Sequence, residues 1–201
     1  MSIHGVSEPH HISHLVGAAG IVAALGLAFQ VGHFAEHALQ FAIWLLGDLS
    51  NICGRNTAWM SPWVMALVEE LGALVAPTAP YARQTMLGME VLHLIGNSIF
   101  LTGLICLYFV IPSKWVRWAI YIEAFHLYEH ILLTATAVFV GKPIGMSTLF
   151  GATSLIDSRE FAVGFRVSWH FAMNLLPMPF AMIGFWEFRH RRPSTAGASV
   201  S

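Results

Sequence analysis

The sequence predicts an all-α polytopic membrane protein: a four-transmembrane-helix bundle with a pseudo-two-fold internal repeat and an amphipathic helix in the first outer loop. Three observations predict it. Hydrophobic residues make up 56% of the chain and charged residues 10%, with a mean hydropathy of +0.65, far more apolar than a soluble domain. Four apolar segments, approximately 14–46, 83–111, 115–140 and 161–188, each reach the roughly 20 residues that a ~30 Å hydrocarbon layer requires. The pattern HxxEH occurs at 33–37 and again at 126–130, and HxxxN occurs at 93–97 and again at 170–174.

The segments end on recognisable stops: Gly47-Asp48, Pro112-Ser113, Gly141-Lys142-Pro143, and the RHRR cluster at 189–192. Trp59, Trp63, Trp115, Trp118, Trp169 and Trp186 fall mostly near these edges, as an interfacial aromatic belt would. Pro177 and Pro179 predict a kink in the fourth span just past Asn174. The connection 48–80 holds SPWVMALVEELGALV, which reads as an amphipathic helix on the outer interface, with a lid role as the alternative. A second long connection covers 141–160. Residues 1–188 thus form one transmembrane domain with repeat halves at about 14–111 and 115–188, followed by a basic, disordered tail at 189–201.

Alternating helix directions put Lys114, Arg117, Arg189, Arg191 and Arg192 on one side, which predicts a bacterial plasma-membrane protein with both termini cytoplasmic. The N-terminus has no charged region and cleavage site of the secretory kind, so it is read as part of the mature chain. A net charge of -1 and the absence of a phosphate loop or RNA-binding signature exclude nucleic acid as a partner. Membrane lipid is the expected partner, with self-association or a place in a larger membrane complex in keeping with so small a unit. Cys53 and Cys106 suggest neither a disulfide framework nor a metal motif.

Against this apolar background the polar residues stand out. Glu36, Glu90, Glu123 and Glu129 lie inside the spans. An ionised acid at mid-bilayer costs roughly 2.5–3.5 kcal/mol on insertion scales, so the four must be protonated, paired or bound to a cation. Arg166 is the only basic candidate at that depth, and histidine is what accompanies the acids: HFAEH at 33, EVLH at 90, EAFHLYEH at 123 and WHFAMN at 169. At about 100° per residue, Glu123, His126 and His130 fall within about 60° of one another, with Glu129 at the edge of the stripe. His33, Glu36 and His37 share a face, as do Glu90, His93 and Asn97. Counted from the outer ends at ~1.5 Å per residue, the six histidines all lie about 14–21 Å deep, in the outer half of the bilayer.

One histidine in a membrane helix is usually a packing residue. Six on inward stripes at one level predict a metal site with His33, His37, Glu90, His93, Glu123, His126, His130 and His170 as ligands, and Glu36 and Glu129 as catalytic or proton-relaying acids. The halves of such a site should differ, because Gln30 stands where the repeat has Glu123, and Val167 where it has Glu90. Asn97 and Asn174 suit hydrogen bonding behind the ligands. Met86, Met89, Met173, Met178 and Met182 suit core filling, and His4, His10, His11 and His14 a separate N-terminal patch.

The spacings Glu90-xx-His93 and Glu123-xx-His126 resemble, as a spacing only, the Glu-x-x-His pairs of di-iron carboxylate four-helix bundles. Imidazole suits iron, copper and zinc, and added carboxylates favour iron. The leading expectation is therefore an oxidoreductase with a di-iron or other dinuclear transition-metal site. A transition-metal transporter or chaperone with proton-coupled glutamates is the alternative. A bis-histidine haem b cytochrome ranks last, since haem does not need four acids.

Overall fold

The computed structural model describes residues 9–47, 58–150 and 158–190, and among these the chain is almost wholly helical, with no strand. The helices are α1 (Pro9–Leu46), α2 (Pro62–Val75), α3 (Tyr81–Val110), α4 (Lys114–Phe139), α5 (Arg159–Leu175) and α6 (Pro177–His190), with a 3₁₀ turn at Met146–Thr148. Asp48, Cys53, His4, Arg191, Arg192 and the tail beyond them lie outside the described residues, as do the side chains of His10, His11 and Arg189.

Two helices, His14–Leu46 and Tyr81–Val110, are long and apolar enough to cross a membrane. The other two expected spans differ from expectation. Helix α4 has 26 residues, but its two glutamates and two histidines dilute its apolar character. The stretch 161–188 is not one helix: it breaks at Leu176 into α5 and α6, of 17 and 14 residues. Pro177 and Pro179 explain the break, since each lacks an N–H and its ring collides with the carbonyl four residues back.

The stops act as the sequence suggests. Gly47 and Gly141, at φ 66° and 84°, take the left-handed conformation that ends α1 and follows α4. Ser113 and Ser158 accept from the backbone N–H groups of Trp115 and Phe161 and so cap α4 and α5.

Packing relies on small residues where backbones meet. A Cβ built on Gly26 of α1 would lie 2.8 Å from the Cα of Gly103 in α3, so these helices touch along bare backbone. Helix α2 packs on the first half of α3 in the same way, with Gly88 against the Val68 carbonyl and Gly72 against Gln84. Thus α2 is seated on α3 through Val64, Val68 and Gly72, and does more than lie on an interface. Gly164 of α5 makes room for the Trp44 ring of α1.

One end of the bundle holds an ordinary apolar core of Ala23, Phe100, Leu104, Leu107, Ile111, Val116, Ala119 and Ala181. There Glu187 of α6 accepts from the Trp115 indole at 2.7 Å and from the Ser113 hydroxyl at 3.1 Å, which fixes the broken segment against the start of α4. Elsewhere the interior is mixed: Gln30, Glu90, Asn97, Glu123, His126, His130 and Asn174 are fully enclosed, together with the apolar Val68, Leu133 and Ala137. Large apolar side chains such as Phe109 and Phe139 point outward, the latter 86% exposed.

Candidate metal centre

The six histidines gather from four helices into two groups. His33 and His37 of α1 join His93 of α3; His126 and His130 of α4 join His170 of α5. Within each group one ligand atom per residue lies within 4.8 Å of the others. Three nitrogens at that spacing can close on one ion at ~2.0–2.1 Å with small side-chain adjustments.

The groups abut. The rings of His93 and His130 are stacked with centroids 4.9 Å apart and planes 2° from parallel, and His170 lies 5.3 Å from His93 and 5.6 Å from His37. The helical spacing of four that places His33 with His37, and His126 with His130, on one face is what brings these rings inward.

Hydrogen bonds behind the rings fix which nitrogen faces the centre. A carbonyl only accepts, so His93 Nδ1 carries its proton toward the Met89 carbonyl at 2.8 Å, and His170 Nδ1 carries its own toward the Arg166 carbonyl at 2.8 Å. Gln40 Oε1 takes the same role behind His37 Nδ1 at 3.0 Å. The Nε2 lone pairs of these rings are thereby turned inward, the arrangement that metal-binding histidines use. Nε2 of His33, His37 and His170 has no protein partner. His126 and His130 bring their Nε2 atoms to 3.2 Å of each other, with Glu123 Oε2 3.7 Å behind His126 Nδ1.

None of the four glutamates belongs to either group. Glu90 pairs with Arg166, whose Nη2 donates to its Oε1 at 2.5 Å, so the one basic candidate in the sequence is the partner of a wholly buried acid. Glu129 is committed through both oxygens, accepting from the Ser147 backbone N–H and the Trp169 indole, each at 2.6 Å. Glu36 accepts from the Ser61 backbone N–H at 2.8 Å. The acids at the fourth place of the two HxxEH patterns thus do one job twice: each holds the connection that follows its own helix. Glu90, expected as a ligand, and Glu36 and Glu129, expected as catalytic or proton-relaying acids, thus each have a protein partner, while Oε2 of Glu90 keeps none. Glu123 alone stays beside the imidazoles, with both oxygens free of hydrogen bonds.

Four contributors, Gln30, Ser61, Ser147 and Gln40, were not legible as such. Gln30 is fully buried, and its amide donates to Asn174 Oδ1 at 3.0 Å, while Asn174 Nδ2 donates to the His170 carbonyl at 2.8 Å; Asn174 therefore braces α5 and is not a ligand. Ser61 and Ser147 act through backbone N–H groups, which no side-chain pattern reveals. Gln40, one turn beyond His37, was readable as a helical neighbour only.

Beside the first group lies a cavity of about 350 Å³. His33, His37, His93 and His170 form its polar wall, and its other sides come from α1, α2, α3 and α5. His126 and His130 are not part of its lining. The six imidazoles, of which His37 and His170 have oriented and unpartnered nitrogens, fit a transition-metal pair by their donor chemistry.

No curated protein and no solved structure matches this chain. A family does: the chain belongs to the family described as a family of unknown function (DUF6008), which matches residues 4–198.

Proposed function

We propose that this protein is an integral membrane oxidoreductase that crosses the bilayer four times, through α1, α3, α4 and the α5–α6 pair, and holds a dinuclear transition-metal centre between its two histidine groups. The observation that carries this reading is the sorting of six imidazoles, four buried and two half-buried, into two adjoining sets of three, each compact enough for one ion. The interior around the histidines is polar and many large apolar side chains face outward, as lipid solvent favours. Both termini and the basic residues Lys114 and Arg117 then lie on the cytoplasmic side, in a plasma membrane of the bacterial kind.

The internal repeat finds support in the same sorting. His33, His37 and His93 come from residues 14–111, and His126, His130 and His170 from residues 115–188, so each half of the proposed repeat supplies one set. Glu36 with Ser61, and Glu129 with Ser147, form an equivalent pair of contacts.

The argument for iron rests on carboxylate ligands, and three of the four acids are engaged elsewhere. A set of neutral imidazoles favours copper, whose monovalent form also adds the least charge to a buried site; iron is next, and zinc would supply no redox chemistry. When bound, such a pair supplies electron transfer or oxygen activation. The chain's own part is to aim six lone pairs, to set Glu123 behind His126 and to enclose the centre. Haem b fits poorly, because rings in mutual contact at 4.7–6.2 Å leave no slot for a porphyrin. A transit route for metal would need to continue past the second group, and the cavity goes no further than its His170, without reaching His126 or His130.

Elemental analysis of protein purified from membranes tests the proposal. Two metal ions per chain are expected, with His93→Ala and His130→Ala each losing at least one. Protein that stays metal-free after exposure to copper, iron and zinc contradicts it.

A further inference from the structure

From the cavity beside the first histidine group we infer that the protein binds an uncharged lipophilic molecule with one lone-pair-bearing polar end, that this molecule enters from the bilayer, and that it meets the centre at His33, His37, His93 and His170, away from His126 and His130. The inference rests on the proposed metal centre and adds to it a ligand class and a direction of approach.

The cavity has one chemically distinct wall. Apart from His33, His37, His93, His170, Glu36, Gln40 and Arg166, its lining is apolar: Phe29, Trp63, Leu67, Val68, Leu92 and Val163 are among its surfaces. The polar members are mostly engaged already. Arg166 is matched by Glu90, Glu36 accepts from Ser61, and Gln40 serves His37, so no unmatched cation calls for an anionic ligand. What stays unengaged is Nε2 of His33, His37 and His170. Of these His37 and His170 are 3% and 4% exposed, which makes them buried polar groups turned to a space that an apolar body can fill.

Size and access narrow the ligand. A cavity of about 150 Å³ accepts benzene, so about 350 Å³ suits a body of roughly two rings or an equivalent chain. The most exposed lining residues, Ala28, Phe29, Gly32, Trp63 and Leu67, carry no charge and sit on α1 and α2. An opening rimmed in this way faces lipid in a four-crossing arrangement. Helix α2, seated on α3 through bare glycine contacts, forms the cover.

Gly32 offers a clean test. It lines the cavity, and a Cβ built on it meets nothing within 4 Å, so Gly32→Leu puts a side chain into the space while improving the local helix propensity. Ala28→Leu, one turn earlier on the same lining, is the second variant. Full-length protein in nanodiscs, copper-loaded and copper-free, is dialysed to equilibrium against 4-phenylimidazole or biphenyl, with empty nanodiscs as the lipid blank and metal content as the control.

We expect copper-loaded wild type to hold about one 4-phenylimidazole per chain above the blank, biphenyl to bind at least tenfold more weakly, and both leucine variants to lose at least tenfold with metal content unchanged. Equal retention by wild type and the two variants overturns the cavity as the binding site. Equal binding of biphenyl and 4-phenylimidazole to the copper-loaded protein overturns the contact with the histidine group. Protein that takes up no copper refutes the metal centre instead. Biphenyl then still decides the cavity: retention lost in Gly32→Leu supports it, and equal retention overturns it.

Discussion

Removing the guanidinium of Arg166 should destabilise the fold without emptying the metal centre. Glu90 has 0% of its side chain exposed and Arg166 25%, and the two are joined across α3 and α5. Arg166→Met leaves an uncompensated carboxylate in the interior, a change that costs about 3–5 kcal/mol in buried pairs and about 2.5–3.5 kcal/mol on membrane insertion scales. Taking ~3 kcal/mol, the folded-to-unfolded ratio falls about 150-fold, and the melting temperature of a chain of this length falls by about 6–12 °C. Glu90→Gln in the same background removes the stranded charge, so the double variant should recover at least half of the loss. Thermal unfolding of the four proteins in one detergent, scanned with metal analysis of each, measures both effects. A drop below about 2 °C for Arg166→Met, or no recovery in the double variant, refutes the pairing as a structural element. Loss of metal in Glu90→Gln alone returns Glu90 to the ligand set.

The remaining predictions concern the loops, the helix contact and the proton. Glu129→Gln should cost about 1–3 kcal/mol with metal content retained, because an amide turns a donor toward either the Ser147 N–H or the Trp169 indole; a stable variant lacking metal would restore the acid to the centre. Gly26→Leu should destabilise by about 1–3 kcal/mol, since its Cβ would sit 2.8 Å from Gly103 Cα, whereas Gly20→Leu, whose Cβ meets nothing within 4 Å, should be neutral in the same unfolding assay; equal effects would refute the close contact. Metal retention during dialysis should fall as pH is lowered, because each imidazole binds either a proton or the ion; retention that rises on acidification would contradict an imidazole site.

Helical spacing was enough to place the imidazoles. Period-four pairs on α1 and α4, and single histidines at matching depth on α3 and α5, could only meet if the stripes faced inward. The acids were harder to read, because spacing tells which face a residue shares and not which neighbour it touches. Glu36 and Glu129 lie on histidine faces and still turn to Ser61 and Ser147, whose backbone N–H groups sit in loops without periodic pattern. Arg166 stood out as the only basic side chain at depth, yet its choice of Glu90 over three other acids depends on how α5 is set against α3. The same limit applies to the fourth apolar segment. Pro177 and Pro179 announce a bend, but hydropathy treats 161–188 as continuous, and whether a helix bends or breaks is decided by its neighbours. The cavity was not legible at all, since it arises where α2 bridges α1 and α3.

X-ray absorption at the metal edge of the loaded protein tests the central claim most directly. Two ions per chain, each with about three imidazole nitrogens in its inner shell, are the result expected from the two histidine groups. An inner shell dominated by carboxylate oxygen, or a single ion whose spectrum is unchanged in His126→Ala, would contradict it.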